Sequence, residues 1–243
     1  FKNFNLKKTF VSGWLSSDII FEKKKIKKKI SKKYILINSN FSACDPKFNT
    51  LESEIRGRLT TTFAKKEDII KGIELIKKRK DEFIKVINLI FKKFPQENFI
   101  LRIHPYENNE KYLFLKKKFN NFKFSDNKNI NDVLINSKLF IHVDCTTAVN
   151  ANILNIKPLS MSWLIAKKTD THNYISKKVS FGFPDQKFFL NELNKILKKK
   201  NSLKFFNKKN ISFLEKYYGP FDGMRCNQAA KRLISLYNKK LRN

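Results

Sequence analysis

Short apolar runs of strand length recur along the chain, and turn-forming residues close most of them. Each run is rich in β-branched and aromatic residues, as is typical of β-strands. The first ends in an Asn-Ser-Asn turn, and the second is followed at once by proline. The predicted strands cover residues 33–38, 98–104, 121–126, 138–143 and 157–163.

Between these runs, apolar residues recur at the spacing of a helix. The longest such segment, residues 67–94, carries isoleucine and phenylalanine on one face, and Pro95 ends it. Its opposite face is polar. Further helices are predicted over residues 107–119, 130–137, 146–155, 187–200, 203–217 and 223–240.

This alternation of strands and helices indicates an α/β fold: a Rossmann-like three-layer domain whose parallel sheet has helices on both faces. We assign residues 33–186 to that domain and residues 187–243 to C-terminal helices packing on it. The chain begins with Phe1 rather than Met. We therefore expect residues 1–32 to be a linker from an N-terminal domain that this chain lacks.

The formal net charge is +31, from 52 Lys and Arg against 21 Asp and Glu. A nucleic-acid partner is the first interpretation of such a charge. However, most of the basic residues are lysine, whereas base readout favours arginine, so we expect no specific nucleic acid. A basic surface also suits peripheral contact with an anionic membrane.

No segment approaches the roughly 20 uninterrupted apolar residues of a membrane span, and no signal peptide is visible. The three cysteines, Cys44, Cys145 and Cys226, are widely spaced and form no CxxC motif. Free thiols in a reducing compartment are the simplest interpretation. We therefore predict a cytoplasmic protein, with the inner face of the cell membrane as a further possibility.

Polar residues cluster where the predicted strand 138–143 meets the following helix. Thr146 and Thr147 could cap that helix, or they could share its backbone N–H groups with an oxygen of a ligand. A helix N-terminus favours an anion such as phosphate. His142 and Asp144, two positions apart on one strand face, make a phosphate site more attractive than capping alone.

A second polar cluster closes the strand 98–104. Pro105 favours an extended conformation for His104, and Arg102 shares the face of His104. An imidazole at this place can donate a hydrogen bond to phosphate and stabilise a departing nucleotide. The alternative is a structural histidine, with Arg102 paired to a carboxylate such as Glu107. Ligands of open parallel sheets bind beyond the carboxyl ends of the strands, so both clusters are expected in one cleft.

Other chemistries were weighed against a phosphate site. A metal site from His104, His142 and Asp144 has suitable ligand types but lacks the spacing of known zinc motifs. A nucleophilic Cys145 activated by His142 is conceivable. Glycine-rich nucleotide loops and an Asp-x-Asp pair are absent from the sequence. We therefore expect a nucleotide to be held without a metal or other cofactor.

Five stretches occur in an order that resembles the C-terminal half of the surface carbohydrate biosynthesis proteins, which belong to the two-domain GT-B glycosyltransferases. More distantly, the chain is similar to capsule polysaccharide and polysialic-acid transferases, which use an HP motif and a later Ser/Thr motif, and to CDP-glycerol glycerophosphotransferases. The first stretch departs from the usual Gly-Asn-Pro-Arg, since residues 13–16 are Gly-Trp-Leu-Ser. The stretches are residues 10–20, 34–42, 101–108, 140–163 and 219–236.

The resemblance implies that His104 and Pro105 contact the nucleotide phosphate, with His104 catalytic, and that Thr146 and Thr147 hold the phosphate or ribose. It also implies that Ser39, Asn40 and Ser42 line the donor cleft. Asp222 and Gly223 would lie near it. The full set of predicted nucleotide-sugar-binding residues is Ser39, Asn40, Ser42, Arg102, His104, Pro105, His142, Asp144, Thr146, Thr147, Asp222 and Gly223.

The predicted function is that of the donor-binding half of a transferase, which moves a sugar or glycerophosphoryl group from a CMP-, CDP- or UDP-linked donor onto a surface polysaccharide. The acceptor would be a saccharide, free or lipid-linked, and the general base would belong to the other domain, so this half alone would be inactive. Two alternatives stay open. They are a sugar-nucleotide epimerase of the same fold and a non-enzymatic binder of nucleic acid or other polyanions.

Overall fold

The computed structural model of the protein describes residues 10–26, 34–126, 129–165, 174–198 and 207–241. Its centre is a single sheet in which every strand pairs in parallel with its neighbours. The strands are β1 Tyr34–Asn38, β2 Phe99–Arg102, β3 Phe122–Phe124, β4 Ser137–His142, β5 Lys157–Ser160 and β6 Phe181–Gly182.

Helices connect the strands and follow the sheet. Short 3-10 helices precede α4 and follow β5. The α-helices are α1 Ser17–Ile26, α2 Leu51–Thr61, α3 Lys66–Lys93, α4 Leu113–Lys118, α5 Ile130–Ile135, α6 Thr147–Ile153, α7 Tyr174–Lys178, α8 Gln186–Leu197, α9 Asn207–Tyr218 and α10 Arg225–Leu241.

The strand order is β3-β2-β1-β4-β5-β6. The chain therefore builds outward from β1 in one direction, and then returns to build in the other direction from β4. Asn38, the last residue of β1, pairs with Arg102 on one side and with His142 on the other. Such a reversal of strand order leaves a crevice at the carboxyl ends, because the flanking connections run to opposite faces of the sheet.

Two apolar layers hold the helices on the sheet. On one face, α3, α4 and α8 pack on side chains such as Ile35 and Ile37. On the other face, α1, α5, α6 and α9 pack on Leu36 and Phe140. The side chains of a strand alternate between faces, so the continuous apolar run of β1 supplies both layers. The α/β three-layer fold predicted from the sequence is confirmed.

The five predicted strands and the seven predicted helical segments all correspond to observed elements, with shifts of a few residues at their ends. Helices α1, α2 and α7 and strand β6 were not predicted. Helix α2 buries none of its residues, so it has no apolar stripe to reveal it. Strand β6 has only two residues.

The N-terminal stretch predicted as a linker contains α1, which packs against α5 and α6 and buries Ile20. Residues 1–9 and 27–33 of that stretch lie outside the described residues. At the other end, α10 contacts α1 but leaves Leu233, Ile234 and Tyr237 exposed. Across the described part of the chain, no helix combines the length and the apolar character needed to cross a bilayer.

Candidate functional site

A cavity of about 270 Å³ lies at the carboxyl ends of β1, β2 and β4, where the strand order reverses. Most of the predicted site residues line this cavity. The structure thus brings together three segments that are far apart in sequence. The predicted residues that line it are Ser39, Asn40, Arg102, His104, Pro105, Asp144, Thr146 and Thr147, and Asn38 and Cys145 join them.

The imidazole of His104 is held in one orientation by its own turn. Its Nδ1 accepts a hydrogen bond from the backbone N–H of Tyr106 at 3.3 Å, and its ring lies against the Tyr106 ring. Burial lowers the pKa of His104, Glu107 raises it and Arg102 lowers it further. A neutral imidazole that accepts at Nδ1 carries its proton at Nε2. His104 therefore has an Nε2–H donor that no described residue engages.

The backbone around His104 rests on a buried carboxylate, Glu107. Its Oε1 accepts from the hydroxyl of Tyr112 at 2.6 Å and lies 2.9 Å from the Nζ of Lys80. Its Oε2 accepts from the Ser39 hydroxyl at 2.7 Å and from the Phe41 N–H at 3.0 Å. The Ser39 oxygen accepts from the His104 N–H at 3.2 Å. This network ties the end of β1 to the turn after β2.

Asn38 is only 2% exposed, yet its side chain lines the cavity. Its Nδ2 donates to the sulfur of Cys145 at 3.7 Å, and the Cys145 thiol donates to the Thr147 hydroxyl oxygen at 3.2 Å. Asn38 Oδ1 is buried and has no partner among the described residues. A buried amide oxygen without a donor is unfavourable by about 1–3 kcal/mol, so this atom indicates a ligand or water with a donor group.

Helix α6 begins at the cavity with Thr147 but has only seven residues. Its N-cap residue, Thr146, makes no side-chain capping hydrogen bond and is exposed. The first backbone hydrogen bond of the turn runs from the Ala148 N–H to the Cys145 carbonyl. Two turns of helix provide a weaker dipole than the longer helix that the sequence predicted.

Asp144 and Asn40 connect the ends of β4 and β1 across the cavity. The Asn40 amide donates to the Asp144 carbonyl, and the Ser176 hydroxyl donates to Asp144 Oδ1 at 2.7 Å. On the β2 side, burial lowers the pKa of the Arg102 guanidinium, and Cys145 raises it. The cavity therefore has basic and neutral donors on its β2 side and a carboxylate at its opposite edge.

His142 does not line the cavity, and its predicted contact with the ligand is corrected. The side chain is completely buried, stacks on Phe140 and shares a 2.9 Å hydrogen bond with Ser180. Burial lowers the pKa of His142 to about 3, so the imidazole is neutral in the folded protein. The pairing level does not explain this, since Asn38 pairs with His142 and still lines the cavity. The difference is that Ser180, between α7 and β6, lies against the His142 ring.

Asp222 and Gly223 also lie outside this cavity lining. Asp222 pairs with Arg225 at 2.7 Å, which lowers the pKa of the Asp222 carboxyl. Gly223 has a φ of +78°, and a Cβ there would come within 2.9 Å of the Phe21 ring. Both residues shape the start of α10 against α1. Ser42 lines a neighbouring cavity instead.

The geometry does not favour the two alternative chemistries, a metal site and a nucleophilic Cys145. Among the described residues, no group of three or more His, Cys, Asp or Glu side chains is arranged to hold a metal ion. Cys145 lines the cavity, but the His142 ring bonds to Ser180 instead of activating the thiol. The sequence analysis did not include Asn38 among the site residues, although it directly precedes Ser39, because it interpreted Asn38 as part of the turn that ends the first strand.

No protein-family model and no curated protein matches the sequence. Solved structures are similar in fold. The UDP-GlcNAc 2-epimerase of Methanocaldococcus jannaschii, in complex with UDP-GlcNAc and UDP, matches with a TM-score of 0.52 and 16% identity over 96% of this chain and 57% of its own. The wall teichoic acid polymerase TagF matches with a TM-score of 0.50 and 13% identity over 99% of this chain and 54% of its own.

The UDP-GlcNAc 2-epimerase of Neisseria meningitidis, bound to UDP-GlcNAc, matches with a TM-score of 0.50 and 12% identity over 96% of this chain. The chain thus spans a little over half the length of each of these proteins, 57% for this last one. At such low identity the likeness concerns fold alone. The described chain has a Rossmann-like α/β architecture that matches a little over half of each of these proteins.

Proposed function

We propose that the cavity at the strand-order reversal binds the phosphate of a nucleotide sugar, and that this chain is the donor-binding half of a transferase. The observation that carries the proposal is the convergence of His104 Nε2–H and Arg102 with the unpartnered Asn38 oxygen in one cavity. These groups come from three separate strand ends. Their convergence has no role in packing the core.

The donor and acceptor groups indicate what kind of molecule would fit. His104, Arg102 and the Thr147 hydroxyl can donate to the oxygens of a phosphate. The buried Asn38 oxygen needs a donor, which a phosphodiester lacks and a sugar hydroxyl supplies. A phosphate that carries a hydroxylated group satisfies both requirements. Nucleotide sugars have this composition, and two of the similar structures contain UDP-GlcNAc.

In the proposed reaction, an acceptor hydroxyl attacks the anomeric carbon of the donor and passes its proton to the general base, which we assign to the other domain. The bond from that carbon to the phosphate oxygen breaks, and its electron pair leaves with the nucleotide. The Nε2–H of His104 donates to the phosphate oxygen on which the charge develops, and Arg102 adds positive charge beside it. Donors that are oriented before the reaction favour the transition state because they need no rearrangement.

The proposed acceptor is a surface polysaccharide, free or lipid-linked. Glycerophosphoryl transfer is a different reaction on the same kind of donor: the acceptor hydroxyl attacks the phosphorus that carries the glycerol, the P–O–P bond breaks, and CMP leaves. The net charge of +31 suits work beside an anionic membrane, where each nearby lysine contributes up to ~1 kcal/mol of attraction. This would place the protein at the cytoplasmic face of the membrane. Vesicle flotation with neutral and anionic lipids measures that contact directly.

An epimerase is the second candidate, because two of the similar structures are UDP-GlcNAc 2-epimerases. Epimerisation needs acid and base groups at the sugar. Among the residues lining this cavity, Asp144 is the single carboxylate, and Ser176 donates to it. Incubation of the protein with UDP-GlcNAc distinguishes the two functions: conversion of the sugar without an acceptor supports the epimerase.

Binding is tested by the melting temperature in CMP, CDP, UDP and duplex DNA at two salt concentrations. We expect one nucleotide series to stabilise the protein, with little loss at the higher salt. Stabilisation by DNA that collapses with salt would instead support a polyanion binder.

The decisive variant pair is His104→Asn and His104→Gln. Asparagine keeps an acceptor near the position of Nδ1 but loses the distal donor, whereas glutamine places an N–H near the position of Nε2. We expect His104→Asn to weaken nucleotide binding by about tenfold or more, the worth of one hydrogen bond to a charged group, and His104→Gln to recover much of it. Unchanged binding in His104→Asn would remove His104 from the site.

A further inference from the structure

A second cavity, of about 250 Å³, adjoins the first. Asn40 and Asp144 line both cavities, so the two meet at the bridge between the ends of β1 and β4. Helices α2 and α3 supply its outer wall through Arg58, Ile76 and Arg79. Apolar side chains such as Leu164 close the opposite side.

The two arginines of this wall contain donors without acceptors. Arg58 Nε and Arg79 Nη2 are buried atoms that make no hydrogen bond to any described residue. In the described part of the chain, no carboxylate lies within ion-pair distance of either guanidinium. Burial also lowers the pKa of Arg79. Both side chains are otherwise partly exposed. Since buried N–H donors are ordinarily paired, an anion beside this cavity would supply the acceptors that these two atoms lack.

The charge around the cavity agrees with that interpretation. Asp144 is the one carboxylate among its lining residues, and its Oδ1 already accepts from Ser176. Two guanidinium groups and one carboxylate leave the lining with an excess of positive charge.

The combined volume of the two cavities suits one ligand better than either volume alone. Neither volume, about 270 and about 250 Å³, reaches the roughly 300 Å³ at which small-molecule sites begin, but the joined pair exceeds it. A nucleotide sugar with its phosphate beside His104 would extend past Asn40 toward Arg58 and Arg79. The part of the ligand that reaches the second cavity would meet the positively charged N–H donors of Arg58 and Arg79.

Building on the proposed function, we propose that Arg58 and Arg79 form an oxyanion subsite, which holds a second anionic group of the nucleotide sugar beyond the phosphate at His104. The shared chemistry is a carboxylate or a phosphate, both of which match the planar donor pattern of arginine. A carboxylate would belong to an acidic sugar. A phosphate would be the second one of a nucleoside diphosphate. The substrate would therefore be a doubly anionic donor.

The test compares the affinities of matched ligands by calorimetry at constant ionic strength. UDP-glucuronate against UDP-glucose isolates a sugar carboxylate, and UDP against UMP with CDP against CMP isolates a second phosphate. We expect one of these comparisons to favour the more anionic ligand by about tenfold or more. Arg58→Gln and Arg79→Gln should each remove most of that preference, and Arg79→Lys should retain part of it.

Arg56→Gln is the matched control, because Arg56 lies on α2 with Arg58, is exposed and does not line the cavity. It should leave the preference unchanged, which separates the subsite from the general effect of the basic surface. If Arg58→Gln and Arg79→Gln lose the preference for UDP-glucuronate over UDP-glucose, the second anionic group is the carboxylate of an acidic sugar. If they lose the preference for UDP over UMP and for CDP over CMP, it is the second phosphate of a nucleoside diphosphate. Nucleotide binding without any preference that depends on Arg58 or Arg79 would overturn the subsite while leaving the proposed function standing.

If no nucleotide binds, the proposed function fails, and the subsite is then tested with inorganic phosphate and free glucuronate. Stabilisation by either anion that disappears in Arg79→Gln but persists in His104→Asn and Arg56→Gln would retain the subsite. Stabilisation that is equal in all variants would overturn it.

Discussion

Lys80 is completely buried on helix α3, beneath the turn that carries His104. Its Nζ lies 2.9 Å from Asp45 Oδ2 and 2.9 Å from Glu107 Oε1, and it sits over the ring of Tyr112. Replacing Lys80 with methionine keeps the unbranched chain and removes the charge. Two carboxylates would then face each other without a cation.

The magnitude follows from burial. Removal of one partner of a buried ion pair costs about 3–5 kcal/mol, and the buried Glu107 has no access to water that could compensate. We expect Lys80→Met to fall in that range. Glu107→Gln should cost about 2–3 kcal/mol, because Lys80 keeps Asp45 while an amide N–H faces former donors. Asp45→Asn should cost about 1 kcal/mol, since that side chain is 21% exposed.

The assay is urea unfolding followed by tryptophan fluorescence, with the free energy of unfolding obtained by linear extrapolation. The double variant Lys80→Met with Glu107→Gln should cost at least about 1 kcal/mol less than the sum of the single changes, because it leaves no unpaired charge. Lys78→Met is the control: Lys78 is exposed on the same helix, and its loss should change stability by about 0.5 kcal/mol or less.

Two results would refute this reasoning. One is a Lys80→Met variant as stable as Lys78→Met, which would mean that the buried ammonium has no net role. The other is simple additivity in the double variant, which would mean that Lys80 and Glu107 act independently. Since domains are stable by about 5–15 kcal/mol in total, the expected loss is large enough to measure and small enough to leave folded protein.

Three further predictions concern His104, His142 and Cys145. Affinity for a nucleotide sugar, whose phosphodiester does not titrate near neutrality, should rise as pH is lowered from about 8 to 5.5, because a bound anion favours the imidazolium form of His104. His104→Asn should show no such rise, and a rise in both proteins would contradict the assignment of His104 to the site. The pKa of His142 is about 3 in the folded protein, below its unfolded value. As pH is lowered, the unfolded state therefore binds a proton before the folded state does, and the free energy of unfolding should decrease. Between about pH 6.5 and 5 the contribution of His142 to the slope should approach 1.4 kcal/mol per unit. His142→Gln should lose that contribution and keep the part due to His104, as measured by unfolding at each pH, and an equal slope in both proteins would count against the prediction. Alkylation of Cys145 should slow when nucleotide binds while the exposed Cys226 reacts as before, as followed by mass spectrometry, and equal slowing of both thiols would show a non-specific effect.

Sequence reasoning located the strand ends well because strand ends are local features. Pro105 and the Asn-Ser-Asn turn after β1 mark them without reference to the rest of the chain. The same reasoning grouped His142 with the cavity residues, since alternation identifies a face of a strand but not which other segment covers that face. Only the tertiary structure shows that Ser180, from a distant part of the chain, lies against the His142 ring.

The charged residues of α2 and α3 show a second limit. Lys80 occurs in a lysine-rich helix whose polar residues are expected to face solvent. No feature of the neighbouring sequence distinguishes Lys80 from Lys78. Its burial depends on Asp45 and Glu107, which come from other segments. Arg58 was not identified for a related reason, because α2 has no apolar stripe by which the sequence could reveal the helix.

The sequence by itself determined the alternation of strands and helices, and with it a parallel sheet covered on both faces, because these follow from periodicities within each segment. It also determined which residue types stand at the strand ends. The tertiary structure alone decided which ends are neighbours, which histidine is exposed to a cavity, and which lysine is buried. Those outcomes depend on strand order and on contacts between distant segments, and neither is encoded in any single stretch of the chain.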